Sequence, residues 1–75
     1  MKYELNTIYT GFTDPRRNAS PFYIILLSLD EQSYQYNCKY KVKNISKWQT
    51  NWKPTILDLS FHKVRLLTSL EKEMF

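Results

Sequence analysis

The chain has 75 residues, a formal net charge of +4, 43% hydrophobic residues and 16% aromatic residues. This length allows one domain, residues 1–75, with a small core, and the apolar content excludes a disordered tail. The single cysteine excludes an internal disulfide. One cysteine and one histidine are also too few for a structural zinc site, which needs four such ligands. Support from a second subunit remains, so the sequence favours a homodimer.

The sequence predicts neither a membrane-spanning helix nor a signal peptide. The longest apolar run, residues 22–27, is far shorter than the roughly 20 residues of a membrane-spanning helix. The first five residues lack the apolar segment of a signal peptide. We therefore expect an intracellular protein of the cytoplasm or of the nucleoid or nucleus, without a membrane partner.

Three strands are predicted in the first part of the chain. Residues 3–12 are rich in β-branched and aromatic residues, and a change of parity in their apolar positions predicts a bulge near Asn6. The segment over residues 22–29, apolar except for Ser28, predicts a central strand buried on both faces, followed by a hairpin loop over residues 30–33. In residues 34–43 the even positions are aromatic or apolar and the odd positions are polar, which indicates a strand with two distinct faces.

The last part of the chain is predicted to hold a short strand and a helix. Residues 55–59 follow Pro54 and have the composition of a short fourth strand, and Asp58 or Ser60 is a plausible N-cap. Helical spacing of apolar residues then predicts a helix over residues 61–74. The expected fold is α+β: an antiparallel meander of three to four strands with a C-terminal helix packed on one face, in the order β-β-β-β-α. One apolar stripe of that helix is assigned to the dimer interface, namely Val64, Leu67, Leu70 and Met74.

Enzyme chemistry finds little support in the sequence. Cys38 lies on the tyrosine face of its strand and is therefore expected to be a buried apolar residue. His62 follows Asp58 by four residues but falls on the predicted exposed face of the helix. We expect no catalytic residue, no metal and no cofactor.

A basic segment with two tryptophans carries the functional prediction. Residues 32–57 contain five lysines and no acidic residue, and the alternate lysines of the third strand would stand about 6.6 Å apart along one face. Lysines track a phosphate backbone, and indole rings stack on exposed bases. The sequence therefore predicts binding of single-stranded DNA or RNA. The residues assigned to this interface are Lys39, Lys41, Lys43, Lys47, Trp48, Trp52 and Lys53, extended by Arg16 and Arg17 of the first loop.

A protein partner is the alternative interpretation of the same segment. A small accessory factor or inhibitor of the phage or mobile-element type, or a subunit of a larger complex, would present the basic strand or a sheet edge to an acidic protein.

A family resemblance points to the first of these interpretations. Tyr40-Lys41-Val42-Lys43 is followed by Trp48, by Lys53-Pro54 and by Leu59-Ser60, with apolar positions at Val64, Leu67 and Leu70. This stretch resembles the positive-cofactor family of single-stranded DNA-binding transcriptional coactivators, which has bacterial and phage relatives. The resemblance implies a four-stranded antiparallel sheet with a C-terminal helix, a dimer, and single strands bound by basic and aromatic side chains of the sheet. It places Trp48 at the close of the basic strand and Leu59-Ser60 at the start of the helix.

Overall fold

The computed structural model describes residues 3–16, 21–43 and 47–74. Within them, four strands form one antiparallel sheet in the spatial order β3-β2-β1-β4. The strands are β1 (Ile8–Phe12), β2 (Pro21–Asp30), β3 (Gln35–Val42) and β4 (Arg65–Leu66), and the helices are α1 (Ile56–Phe61) and α2 (Ser69–Met74). The predicted α+β class, with its antiparallel sheet and C-terminal helix, is confirmed. The order along the chain is β-β-β-α-β-α.

One face of the sheet carries the core. Alternate residues of β2 and β3 point to this face and are almost completely buried, and Leu59 of α1 packs over them with no exposed surface. Each such apolar side chain contributes roughly 1.5–3 kcal/mol on burial. The prediction that β2 is buried on both faces is wrong, because Tyr23 and Ile25 on the other face are only half-buried and Leu27 is 41% exposed. The buried strand residues of this face are Tyr9, Phe22, Ile24, Leu26, Tyr36 and Cys38.

Two turns replace features that the sequence predicts as strand. Asn6 adopts φ 59° and donates its backbone N–H to the Leu26 carbonyl at 2.7 Å, so the change of parity marks a left-handed turn before β1. The predicted bulge at Asn6 is therefore wrong, and the irregularity of the sheet lies in β2 between Leu26 and Ser28. Tyr34 closes the β2–β3 hairpin with φ 56° and is 71% exposed, so this tyrosine stands apart from the buried face.

The predicted fourth strand over residues 55–59 is wrong, because this segment begins α1. Thr55 is the N-cap of α1: its Oγ1 accepts the backbone N–H of Asp58 at 3.2 Å, and the Asp58 carboxylate accepts the Thr55 N–H at 2.8 Å. This reciprocal pair is a capping box. Leu59-Ser60, which the family resemblance places at the start of a helix, lies inside α1.

The predicted helix over residues 61–74 is interrupted. α1 ends at Phe61, and Lys63 takes the left-handed conformation with φ 54° while the Val64 N–H donates to the Leu59 carbonyl at 3.0 Å. The chain then pairs with β1 as β4 before α2 begins. A second capping box starts α2, in which the Glu71 N–H donates to Thr68 Oγ1 at 3.2 Å and the Thr68 N–H donates to the Glu71 carboxylate at 2.9 Å.

This interruption removes the stripe that was assigned to the dimer interface. Val64 and Leu67 are each 6% exposed and are therefore buried within the single chain. Leu70 is 65% exposed on α2, and the side chain of Met74 lies outside the described part of the structure. These four residues do not share a helix face.

Residues 49–55 cover the outer edge of β3. The backbone of Gln49 pairs with that of Tyr40 in both directions, at 2.8 and 2.9 Å, and the Tyr36 N–H donates to the Pro54 carbonyl at 2.8 Å. These bonds occupy strand groups that would otherwise be open to another chain. Trp52 lies within this segment and Trp48 directly precedes it, so the chain that carries both tryptophans runs along the rim of the sheet.

Candidate nucleic-acid interface

The odd-numbered residues of β3 lie on the sheet face opposite the core. Lys39 pairs with Ile25 and Lys41 pairs with Tyr23, whereas the even-numbered neighbours Cys38 and Tyr40 belong to the core face. The predicted separation of lysines from tyrosines along β3 is confirmed for these positions. Successive side chains of a strand point to opposite faces, so this geometry follows directly from the period of two.

Trp48 lies against the two central lysines. The Nζ atoms of Lys39 and Lys41 are 5.5 and 5.3 Å from the centroid of its indole ring. Such cation–π contacts stabilise by roughly 0.5–1 kcal/mol at exposed sites, which is enough to orient the ring on this face. Two ammonium groups and one flat aromatic surface are therefore brought together by residues from the strand and from the loop that follows it.

The other lysines extend this cluster along β3. Lys53 crosses to the same face, where its ammonium donates to Asn37 Oδ1 at 2.8 Å, in line with the lysines at positions 39 and 41. Lys43 is exposed just beyond the end of β3, and Lys47 is exposed next to Trp48. In the described ranges, no carboxylate forms an ion pair with Lys39, Lys43 or Lys47. We name this set the lysine row: Lys39, Lys41, Lys43, Lys47 and Lys53.

Trp52 is not part of this surface. Its ring packs edge-to-face against Phe22, Tyr40 and His62, with centroids 5.9, 5.6 and 5.4 Å away, on the core side of the sheet. The segment between the tryptophans passes the β3 edge, so the structure separates two rings that the sequence assigned to one interface.

Neither loop arginine is shown beside the lysine row. Arg16 donates from Nε to the Asp14 carboxylate at 3.3 Å, and its guanidinium lies 5.6 Å from the ring centroid of Phe61 in α1. This contact places Arg16 on the side of the sheet that α1 covers. Arg17 lies outside the described residues.

The residues considered for catalysis have structural partners. Cys38 is buried and donates from Sγ to the Trp52 carbonyl at 3.3 Å, and burial raises the pKa of its thiol to about 11 against a smaller opposing effect of Lys53. Asp58 is held by the Thr55 cap, and His62 Nδ1 lies 2.8 Å from the Phe12 carbonyl. Across the described ranges, no three His, Cys, Asp or Glu side chains are grouped as metal ligands would be.

A cavity of about 200 Å³ on the core side is a feature that sequence reasoning missed. Four aromatic rings and two smaller side chains line it, and they come from five separate segments of the chain. The spacing of Trp48 and Trp52 gives no sign of it, because the edge pairing of Gln49 with Tyr40 decides which ring turns to which face. The lining residues are Thr13, Phe22, Tyr40, Val42, Trp52 and His62.

No protein-family model, curated protein or solved structure matches the chain. The resemblance to the positive-cofactor family therefore stays a prediction from the residues quoted above. None of the helices in the described part of the chain is long and apolar enough to cross a membrane.

Proposed function

We propose that this protein binds single-stranded nucleic acid inside the cell, in transcription or replication, without catalysing a reaction. The supporting observation is the contact of Lys39 and Lys41 with the Trp48 ring, at 5.5 and 5.3 Å, on the sheet face that the core leaves open. Cations beside an aromatic surface provide the two interactions that single strands use.

The lysine row supplies the contacts to phosphate. Lys39 and Lys41 stand roughly 6.6 Å apart along β3, and Lys53 and Lys43 continue the line at its two ends. Ammonium groups held this close repel one another, and a bound phosphate anion reduces that repulsion. Each contact releases counterions from the strand, so affinity falls as salt rises.

Trp48 supplies the contact to a base. A base stacks on the exposed part of this half-buried indole, and such stacking contributes roughly 1–3 kcal/mol per base. Stacking and phosphate contact are both independent of base identity, so we expect little sequence preference. Trp52 and Arg16 are left out of this interface because they lie on the core side.

A homodimer belongs to the same proposal. The reason is the small core of a 75-residue chain without disulfide support, and two copies on one strand would also bind it more tightly than one. The surface that joins the copies is not the stripe predicted from the sequence, since two of its members are buried within the single chain. Sedimentation equilibrium with and without an oligonucleotide measures the stoichiometry.

The test compares two double variants that remove the same charge. Lys39→Gln/Lys41→Gln changes the proposed interface. Lys63→Gln/Lys72→Gln is the control, because Lys63 is exposed beside β4 and Lys72 is exposed on α2. Strand β4 lies about 14 Å from β3 across the sheet. Fluorescence anisotropy with a labelled oligothymidylate should show at least about a tenfold loss for the first variant and a small loss for the second. Trp48→Ala should lose roughly 5- to 150-fold.

Equal losses in the two double variants would mean that only net charge matters, and the proposed interface would be wrong. Unchanged binding of a strand in all variants would also reject it. Recovery of one stoichiometric acidic protein from a nuclease-treated pull-down, lost in Lys39→Gln/Lys41→Gln, would establish the protein-binding alternative instead.

A further inference from the structure

The cavity on the core side of the sheet is lined mainly by aromatic rings. It has a volume of about 200 Å³ and opens to solvent. The rings come from β2, β3, the loop along the β3 edge and the end of α1, so the fold has to be complete before the cavity exists.

The rings form a floor with walls. The planes of Phe22, Tyr40 and His62 meet the plane of Trp52 at 72°, 79° and 89°. Phe22 and His62 are also perpendicular to each other, at 88°. A flat ligand lying parallel to the Trp52 indole would stack on it and meet the other three rings edge-to-face, which are the two favoured arrangements of aromatic pairs.

The walls are held in place by hydrogen bonds. The Tyr40 hydroxyl donates to Asn51 Oδ1 at 2.6 Å, and His62 Nδ1 lies 2.8 Å from the Phe12 carbonyl. Because a carbonyl only accepts, His62 carries a proton on Nδ1, and in the neutral ring Nε2 remains an acceptor. A heterocycle with N–H groups on its edge therefore finds both stacking surfaces and an acceptor residue at this cavity.

Size and charge favour a neutral ring. An apolar cavity of about 150 Å³ holds benzene, so about 200 Å³ is enough for one six-membered ring. None of the six lining residues is an Asp, Glu, Lys or Arg, and Asp14, which follows the lining residue Thr13, is paired with Arg16 at 3.3 Å. A cation would gain no carboxylate of its own at this site.

We propose that this cavity binds one nucleobase of the strand that lies on the lysine row. This inference rests on the proposed function and adds a second base site to it. The Cα atoms of Trp48 and Trp52, four residues apart, are separated by at most about 14 Å, and a few nucleotides of an extended strand cover this distance and the turn from one sheet face to the other. The nucleic-acid strand would cross the β3 edge of the sheet, where residues 48–52 of the protein also pass from one face to the other.

Variants with a single tryptophan allow the fluorescence change at each proposed base site to be measured separately. Trp48→Phe leaves Trp52 as the only indole, and Trp52→Phe leaves Trp48, while both keep an aromatic ring in place. Titration with oligothymidylate should quench the fluorescence of both variants, because base stacking quenches an indole. In the unmodified chain, the indole N–H resonances of both tryptophans should shift in NMR spectra.

A cavity-filling variant provides the control. Val42→Phe places a larger side chain in the cavity and should abolish the change at Trp52 while the change at Trp48 remains. A strand that binds and changes only Trp48 would overturn the second site and leave the proposed function standing. A change at Trp52 without one at Trp48, unaffected by Lys39→Gln/Lys41→Gln, would support the cavity and reject the lysine row. A strand that changes neither tryptophan would overturn both.

Discussion

Trp48 and Trp52 are four residues apart and lie on opposite faces of one sheet. The ammonium groups of Lys39 and Lys41 contact the first ring, and the second packs against Phe22 in the core. The loop that carries them is fixed to the β3 edge, so the separation is built into the backbone. The Trp48 ring therefore lies beside the lysines and outside the core, whereas the Trp52 ring also supports the fold.

The two tryptophans should differ in their effect on stability. Trp48→Ala should lower the free energy of unfolding by about 1 kcal/mol, because its half-buried ring lies against Lys39 and Lys41 and is not packed against the core cluster. Trp52→Ala should lower it by about 2 kcal/mol or more, because a half-buried ring leaves a gap against the core. Urea unfolding followed by circular dichroism measures both values. Equal losses would show that the rings share one environment.

The part of the fold that follows from local pattern was predictable. In β3 the period-two pattern alone predicts that Cys38 lies on the core face and Lys39 on the opposite face of the sheet, as the structure has them. The C-terminal part differs from the prediction because two capping boxes start two short helices where the apolar spacing alone indicates one long helix. Thr55 and Thr68 are each followed three residues later by an acidic residue, which is the sequence signal of a capping box. Two helix starts, and hence two short helices, were readable from those positions.

Of the candidate site, the lysine face of β3 could be predicted from the sequence, whereas the position of Trp52 and the cavity could not. The common face of Lys39 and Lys41 follows from strand alternation, and the predicted interface included Trp48, which contacts both lysines. The position of Trp52 depends on pairing of Gln49 with Tyr40, a contact between segments that no local pattern specifies. The cavity likewise depends on His62, whose place is set by its bonds to Phe12 fifty residues away in the chain.

Gly11 should resist substitution. A Cβ atom at this position would lie 2.8 Å from the His62 carbonyl oxygen, 3.0 Å from Val64 Cγ2 and 3.1 Å from Phe22 Cε1. The first neighbour is backbone and cannot move without shifting the chain between α1 and β4. Gly11→Ala should therefore lower the free energy of unfolding by roughly 1–3 kcal/mol in urea titrations. Unchanged stability would mean that residues 62–64 do not approach β1 this closely.

The Cys38 thiol should be unreactive in the folded chain. Burial raises its pKa to about 11, so the reactive thiolate is scarce near neutral pH. Modification by a thiol reagent should proceed only as fast as the chain opens, and denaturant should accelerate it. Rapid labelling of the native protein would contradict the burial of β3.

The same thiol should make stability depend on alkaline pH. The unfolded thiol ionises near pH 8.5 while the folded one stays protonated to about 11, so stability is lost as pH rises through that window. The difference in unfolding free energy between the wild type and Cys38→Ala isolates this effect from other titrating groups, and it should narrow from pH 8 to pH 11.

Glu71 should govern the acid stability of α2. Hydrogen bonds from the Arg65 guanidinium, at 2.8 and 3.1 Å, and from the Thr68 N–H lower the pKa of its carboxyl from 4.5 to about 2. This support is present above pH 4.5 and is lost as pH falls toward 2. Glu71→Gln should flatten the acid unfolding profile, and Glu73→Gln, an exposed carboxyl in the same helix, should leave it unchanged. Identical profiles for the two variants would contradict the capping role.

The salt dependence of strand binding tests the central claim most directly. Single strands lose affinity with a slope of about −0.7 in log K against log salt for each phosphate contacted, so four or five contacts by the lysine row predict a slope near −3. Lys39→Gln/Lys41→Gln should reduce its magnitude by about 1.4. A slope near zero, or the same slope in that variant as in the wild type, would contradict binding by these lysines.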